Sequence, residues 1–127
     1  MKKALATTNA PAAIGPYSQG VKGGDYVFVS GQLPIDPATG NFAGDDIAAQ
    51  TRQSLANIQA ILESDGLSMA DVVKTTVLLQ SIGDFAAMNE VYATFFSGDC
   101  PARAAFEVAA LPKGALVEIE AIAYCGK

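Results

Sequence analysis

Eight residues near the C-terminus, Val117-Glu118-Ile119-Glu120-Ala121-Ile122-Ala123-Tyr124, decide the class of fold. Aliphatic side chains at every second position alternate with two carboxylates, an isoleucine and a tyrosine, and successive side chains of a β-strand point to opposite faces of a sheet. The segment therefore predicts a strand that packs one face on a helix-covered core. Its second face is too apolar for plain contact with water.

Outward from this strand, five more segments carry the signals of strands or of irregular chain. Val72–Leu79, with the sequence VVKTTVLL, is an uninterrupted β-branched run that predicts a buried strand. Further strands are predicted over Lys2–Ala6, at a sheet edge, and over Tyr26–Ser30 and Ala104–Val108. Asn9–Tyr17 holds two prolines and a glycine, which predicts irregular structure.

Two stretches carry apolar residues at spacings of three and four, the periodicity of a helix with one buried face. Asp45 or Asp46 can cap the first helix, which ends before Gly66 in a left-handed cap. Asp84 can cap the second helix, which Gly98 terminates. We therefore predict an α+β fold of order β-β-(β)-α-β-α-β-β, with two helices on one face of a single mixed sheet. The buried stripes are Ile47, Thr51, Leu55, Ile58 and Leu62 in the first helix and Phe85, Met88, Tyr92 and Phe95 in the second.

The composition predicts one domain that associates with copies of itself. The 127 residues suffice for a single domain over residues 1–127, and 50% of them are hydrophobic while only 17% are charged. So little charge on a small chain predicts that apolar surface is buried in an obligate homo-oligomer. A subunit interface on the second face of the last strand would explain both the composition and the pattern.

The residues that are absent remove several classes of function. The chain has no histidine, which removes Ser-His-Asp and Cys-His catalysis and His-ligated metal sites. Cys100 and Cys125 lack metal-binding spacing and are predicted to be free thiols. The net charge of −5 argues against a nucleic-acid surface, and neither a membrane-spanning run nor a signal peptide is evident. We expect a cytoplasmic protein.

Arg103 and Glu118 are the side chains best suited to chemistry. Arg103 begins an apolar strand, where an unpaired guanidinium is costly. It either pairs within the chain, with Glu107, Glu118 or Glu120, or grips a ligand carboxylate through two parallel hydrogen bonds. Glu118 is either paired or has a raised pKa that suits acid–base work. The residues alone leave these alternatives open.

Three further positions are weaker candidates. Tyr17 is an aromatic hydroxyl on a rigid loop, either a packed anchor or the wall of a site. Ser30-Gly31-Gln32 offers backbone N–H groups at a strand end and could cradle an anion. Asn89, on the second helix, would by itself be a routine polar residue.

Three segments together resemble the RidA/YjgF family of reactive-intermediate (enamine/imine) deaminases, and the resemblance covers almost the full chain. The third segment is the most specific, since it combines Pro-x-Arg, Leu-Pro-x-Gly and Val-Glu-Ile-Glu. The segments are IGPYSQG (Ile14–Gly20), VFVSGQLPIDPATG (Val27–Gly40) and PARAAFEVAALPKGALVEIEAIA (Pro101–Ala123).

The resemblance implies a fold, an activity and a set of site residues. It implies a homotrimer with a chorismate-mutase-like α+β fold and clefts between neighbouring subunits. It also implies hydrolysis of 2-imino acids, such as 2-iminobutanoate and 2-iminopropanoate, to 2-keto acids and ammonia. Neither a metal nor a cofactor is implied. By matching motifs, Arg103 would bind the substrate carboxylate and Glu118 would position or activate water near the imine. The cleft would be lined by Tyr17, Ser30, Gly31 and Asn89, with a further hydrogen bond from the backbone of Ala105.

One departure and three alternatives accompany this expectation. Many family members carry cysteine, serine or threonine where this chain has Ala105, so a side-chain role there is absent. A trimer that binds small carboxylates without catalysis is the first alternative. An RNA-directed activity, proposed for relatives of this family, is disfavoured by the acidic charge and the absence of histidine. A chaperone-like role through exposed apolar surface is the third.

Overall fold

A six-stranded mixed sheet carries two α-helices on one of its faces in the computed structural model, which describes residues 1–126. Helix α1 packs on β3 and β6, and α2 packs beside α1. The predicted α+β arrangement of two helices on a single sheet is confirmed. The elements are β1 (Lys2–Leu5), β2 (Gly20–Gly23), β3 (Tyr26–Gln32), α1 (Ile47–Glu63), β4 (Val72–Leu79), α2 (Phe85–Ala93), β5 (Ala102–Glu107) and β6 (Val117–Tyr124).

The strands follow the order β1-β2-β3-β6-β4-β5. All neighbours are antiparallel except β4 and β5, which run parallel and make the sheet mixed, as predicted. The third strand, which stands in parentheses in the predicted order, is β2; no local pattern marks its position, because its GVKG sequence has one strand-favouring residue between glycines. Pairing with both β1 and β3, rather than local propensity, makes this segment a strand.

The alternation of β6 is confirmed, whereas the expectation for β4 is only half right. In β6 the side chains of Val117, Ile119, Ala121 and Ala123 are at most 3% exposed and face the helices. In β4 burial alternates along the strand, and Val73 is 42% exposed. The prediction of a wholly buried strand was wrong because helices cover only one face of the sheet.

Helix α1 forms as its pattern predicts, and of the two candidate caps it is Asp46 that caps it. The side chain of Asp46, not that of Asp45, accepts a hydrogen bond from the backbone N–H of Ala49 at 2.7 Å. All five residues of the predicted stripe are buried, and Gly66 has the left-handed φ of 76°. Within residues 1–126, neither helix is long and apolar enough to cross a membrane.

Two predictions about the ends of helix α2 were wrong. Asp84 precedes the helix but makes no side-chain cap; a short 3₁₀ turn, Ile82–Asp84, leads into it instead, capped by Ser81. The helix ends at Ala93, before the predicted terminator Gly98. Beyond it Phe95 turns back against the core with Phe96, so the apolar periodicity outlasts the helix.

The irregular N-terminal loop is organised by one buried side chain. Gln19 is 4% exposed, its Oε1 accepts the Thr7 N–H at 2.7 Å, and its Nε2 donates to the carbonyl oxygens of Thr7 and Pro11 at 3.0 and 2.7 Å. A glutamine amide that satisfies both ends of a loop replaces the missing backbone ladder. Tyr17, two residues earlier, belongs to the loop that this side chain holds in place.

Candidate functional site

Four of the predicted site residues meet on the face of the sheet that the helices leave uncovered. Tyr17, Ser30, Gly31 and Glu118 line a shallow cavity of about 480 Å³, which we call the carboxylate pocket. Its remaining walls are Leu33, Pro112 and Glu120.

A β-bulge in β3 shapes the floor of the carboxylate pocket. Val29 pairs with Ala121 of β6 and Gln32 pairs with Ile119, so Ser30 and Gly31 together oppose one residue. The Ser30 hydroxyl donates to the backbone oxygen of Ser18 at 2.6 Å and ties the bulge to the Tyr17 loop. The structure thus places Ser30–Gln32 in the last three residues of β3, at the strand end that the sequence predicts, with Ser30 and Gly31 in the bulge.

Gly31 is required for space rather than for backbone freedom. A β-carbon built on it would overlap the carboxylate of Glu118, so any larger residue would displace that side chain. The carboxylate therefore lies directly against the bulge, in contact with backbone.

The environment of Glu118 favours its neutral form. Burial raises the pKa of Glu118, and the neighbouring carboxylate of Glu120 raises it further. In the described part of the chain, the ion pairs join Asp65 to Lys3 at 3.6 Å and to Lys22 at 3.3 Å, and none involves Glu118. Of the two alternatives for this residue, an ion pair or a raised pKa, the structure supports the second.

Arg103 and Asn89 form a second cluster, where α2 meets β5 at one end of the sheet order. The Nη1 of Arg103 donates to the Oδ1 of Asn89 at 2.6 Å. The guanidinium carbon lies 5.3 Å from the ring centre of Phe85 and 4.9 Å from that of Tyr92, within range of cation–π attraction. We call these four residues the arginine platform.

The structure leaves the guanidinium exposed and its charge unpaired. No aspartate or glutamate oxygen of residues 1–126 lies within ion-pair distance of Arg103, so the predicted internal partners Glu107, Glu118 and Glu120 do not hold it within one chain. An amide oxygen and two aromatic faces stabilise the cation instead. Such a guanidinium can bind a ligand carboxylate with its remaining donors.

Phe85 and Tyr92 are site residues that the sequence analysis missed. Their spacing predicts both for the buried stripe of α2, and Tyr92 does lie in the core at 6% exposure. Burial raises the pKa of Tyr92, although its hydrogen bond to Thr75 and the charge of Arg103 act in the opposite direction. The available signal was the spacing of Phe85, Asn89 and Tyr92, which places all three on one side of a helix.

The two clusters lie on opposite faces of the same sheet. Arg103 pairs with Thr75 of β4, which is 1% exposed and faces the helices. Glu118 pairs with Leu78 of β4, on the face that the helices leave uncovered. Because side chains of directly paired residues share a face, one chain does not bring Arg103 and Glu118 together. Ala105, two residues after Arg103 in the edge strand β5, stays on the side of the arginine platform.

The uncovered face of the sheet is strongly aromatic. We call it the open face. Four aromatic side chains on strands project from the open face: Tyr26 at 43% exposure, Phe28 at 49%, Phe106 at 48% and Tyr124 at 38%.

The described residues contain no group of three or more histidine, cysteine, aspartate or glutamate side chains that could hold a metal ion. Cys100 and Cys125 are free, as predicted.

Comparison with known proteins gives similarity over nearly the whole chain. A model of the family described as Endoribonuclease L-PSP matches residues 7–125. A RutC family protein of Pyrococcus horikoshii is 57% identical over 124 residues, which are 98% of this chain and 98% of the relative. A 2-iminobutanoate/2-iminopropanoate deaminase of Salmonella typhimurium is 54% identical over 126 residues, 97% of this chain and 98% of the relative. The crystal structure of E. coli TdcF with bound serine has a TM-score of 0.94 and 46% identity, covering 98% of this chain and 99% of that one.

Proposed function

The chain belongs to the Endoribonuclease L-PSP (RidA/YjgF) family, and from that premise we propose that it hydrolyses small 2-imino acids, 2-iminobutanoate and 2-iminopropanoate, to 2-keto acids and ammonia. The relative from Salmonella typhimurium, which bears the name of this activity, supports the assignment at 54% identity. The observation that carries the proposal is an exposed Arg103 guanidinium with no ion-pair partner in residues 1–126, in a chain that also holds a partly buried Glu118 carboxyl whose pKa is raised.

The active cleft, in this proposal, forms between neighbouring copies in a homotrimer. The arginine platform and the carboxylate pocket face opposite sides of one sheet, so a second copy is needed to bring an arginine to a glutamate. The open face, with its four exposed aromatic side chains, supplies apolar area for that association. A head-to-tail contact of this kind closes into a ring when its rotation permits.

Arg103 binds the substrate carboxylate through two parallel hydrogen bonds and orients the imine carbon toward the carboxylate pocket of the neighbouring copy. The TdcF structure holds serine, a ligand of similar size that also carries a carboxylate. Tyr17, Ser30 and Gly31 line the substrate, and the edge strand offers the backbone of Ala105 as a further hydrogen-bonding group.

Glu118 acts as the general acid and the general base. Water adds its oxygen to the imine carbon and the C=N double bond becomes a single bond. The nitrogen then leaves as ammonia when the carbon–oxygen double bond forms. In its protonated form Glu118 donates to the imine nitrogen, and as a carboxylate it takes a proton from the attacking water. The same carboxyl gives that proton to the amine nitrogen, which leaves as ammonia, and it takes a proton back from the hydroxyl as the carbonyl forms. Proton transfer by a positioned side chain contributes about 10²- to 10⁴-fold to the rate.

We further propose that the enzyme works in the cytoplasm without a metal or cofactor. Hydrolysis of an imine requires water and proton transfer, which the two clusters supply. Free Cys100 and Cys125 suit a reducing compartment. The family description names an endoribonuclease, but a net charge of −5 and a sequence without histidine do not favour RNA cleavage.

The test is imine hydrolysis measured against the spontaneous rate. An amino-acid oxidase generates 2-iminobutanoate in situ, and the release of 2-ketobutanoate is followed with wild type, Arg103→Ala and Glu118→Ala. We expect acceleration that both substitutions abolish. Absence of acceleration by the wild type, with carboxylate binding retained, would instead support the non-catalytic binding protein.

Complementation tests the shared cleft. Co-expressing Arg103→Ala with Glu118→Ala chains restores intact clefts only if arginine and glutamate come from different copies. Random mixing at equal amounts then gives about a quarter of the wild-type activity, because each intact cleft needs one particular chain on each side. No recovery in co-purified mixed oligomers would place both residues of a cleft on one chain.

A further inference from the structure

One side of helix α2 makes three different contacts with a single guanidinium. Phe85, Asn89 and Tyr92 stand at positions i, i+4 and i+7, which project from the same side of a helix. Phe85 and Tyr92 present ring faces to Arg103 at 5.3 and 4.9 Å, and Asn89 accepts its Nη1–H at 2.6 Å. Two stacking planes and one hydrogen bond define the orientation of a planar group.

The platform is itself anchored in the core. The Tyr92 hydroxyl lies 2.7 Å from the Thr75 hydroxyl in a buried hydrogen bond, and its ring centre lies 4.8 Å from that of Phe96. Because Thr75 also pairs with Arg103 across the β4–β5 ladder, the ring and the guanidinium are fixed to the same point of the sheet. The position of the ring therefore does not depend on the presence of a ligand.

The partners that Arg103 has within residues 1–126 are all uncharged. A carboxylate at position 89 would hold the guanidinium more firmly, but it would also occupy the fork that a ligand carboxylate needs. An amide oxygen uses one of the five N–H donors, and aromatic faces use none. The cluster thus orders the side chain and leaves its charge and a pair of donors available.

We propose that Phe85, Asn89 and Tyr92 are positioning residues that set the orientation of Arg103 without neutralising it, and that Asn89 acts through the arginine. The inference deepens the proposed function, on which it rests, by naming what prepares the carboxylate clamp. It replaces the expectation that Asn89 lines the cleft as a direct substrate contact.

The charge test uses Asn89→Asp with Ala86→Asp as its matched control, since Ala86 is exposed on the same helix and receives the same added charge. We expect Asn89→Asp to raise KM for 2-iminobutanoate and Kd for 2-ketobutanoate by about tenfold, the effect of an ion pair that competes for the guanidinium. We expect kcat within about twofold of wild type, because the proton transfers do not involve this residue. Unchanged Kd in folded Asn89→Asp would overturn the proposal.

The ring test separates positioning from folding. Tyr92→Phe removes the buried hydroxyl contact with Thr75 but keeps the ring face, so stability falls and KM and Kd rise less than in a variant that lacks the ring. Tyr92→Leu keeps apolar volume but loses the ring, so we expect KM and Kd to rise several-fold. Equal Kd values for the two variants would overturn a role for the ring. This pair remains informative if Asn89→Asp fails to fold.

Binding of 2-ketobutanoate, measured by calorimetry, tests the role of the arginine platform independently of whether the protein hydrolyses imines. Wild type that binds the keto acid through Arg103 but does not accelerate imine hydrolysis would refute the deaminase and leave the platform testable through Kd. Keto-acid binding that survives Arg103→Ala unchanged would refute the platform as a clamp, while the hydrolysis assay would still decide the activity.

Discussion

At the scale of single residues, the protonation of Glu118 is set by what surrounds it. Burial and the carboxylate of Glu120 both raise its pKa, whereas Arg103 of the same chain lies on the opposite face of the sheet and offers no compensation. Within one chain, these two effects raise the pKa of the Glu118 carboxyl above that of an ordinary surface glutamate.

The substitution Glu120→Gln tests this account. Removing a like charge lowers the pKa of Glu118, so the limb of the pH profile of kcat/KM that reports this group moves to lower pH. The direction is the same whether the protonated or the ionised form is required, because both depend on one titration. Glu90→Gln, at an exposed position of α2, is the control and leaves the profile in place. A limb that stays fixed in Glu120→Gln would show that the neighbouring charge does not act on Glu118.

The sequence predicted which side chains matter more readily than it predicted their partners. Arg103 and Glu118 stood out because charge is rare in apolar strands. Whether Arg103 was paired could not be read from β5 itself, since its acceptor and both aromatic rings lie on α2. Only the parallel β4–β5 ladder, formed by segments nearly thirty residues apart, places that helix beneath the guanidinium.

At the scale of elements, the start of α1 shows which of two adjacent aspartates caps the helix, a question that the sequence left open. Asp45 and Asp46 are adjacent, exposed and identical in chemistry, yet only Asp46 accepts the Ala49 N–H. An N-cap acceptor satisfies a backbone donor that has no partner within the helix.

We expect Asp46→Ala to lower the free energy of unfolding by about 1 kcal/mol and Asp45→Ala to change it by less than about half of that. Urea denaturation followed by circular dichroism measures both variants under identical conditions. Equal losses for the two alanine variants would mean that general charge near the helix start, and not the hydrogen bond, supports α1.

Elements with strong local signals were predicted well, and those that depend on pairing were not. The bounds of β4 and β6 follow from β-branched and alternating runs that no turn residue interrupts. Strand β2, with glycine at both ends, exists because β1 and β3 flank it. The end of α2 depends on Phe95 and Phe96 folding back onto the core, a tertiary contact that periodicity does not encode.

At the scale of the whole molecule, the open face links composition to assembly. Helices cover one side of the sheet, and the other side exposes Tyr26, Phe28, Phe106 and Tyr124 on its strands. Exposed aromatic area of this kind is typical of a surface that associates.

Phe28→Asp places a charge in the middle of this face, on β3. We expect the proposed homotrimer to dissociate and imine hydrolysis to fall with it, since the proposed clefts between copies would be lost together with the contact. Light scattering after size exclusion measures the mass, and Ile82→Asp, a substitution of a 52% exposed residue outside the sheet, is the control that keeps its mass. An oligomer that survives Phe28→Asp at low micromolar concentration would exclude the open face as its interface.

The placement of Arg103 and Glu118 on opposite faces of one sheet also has a genetic meaning. In a closed ring built from such chains, every copy serves two clefts, giving its arginine to one neighbour and its glutamate to the other. A trimer that incorporates a single chain defective in both residues therefore retains about one third of its clefts, although two thirds of its chains are sound. The fraction of clefts that a defective allele inactivates would therefore exceed the fraction of chains that it supplies. Such an allele would be dominant-negative rather than a simple loss of function.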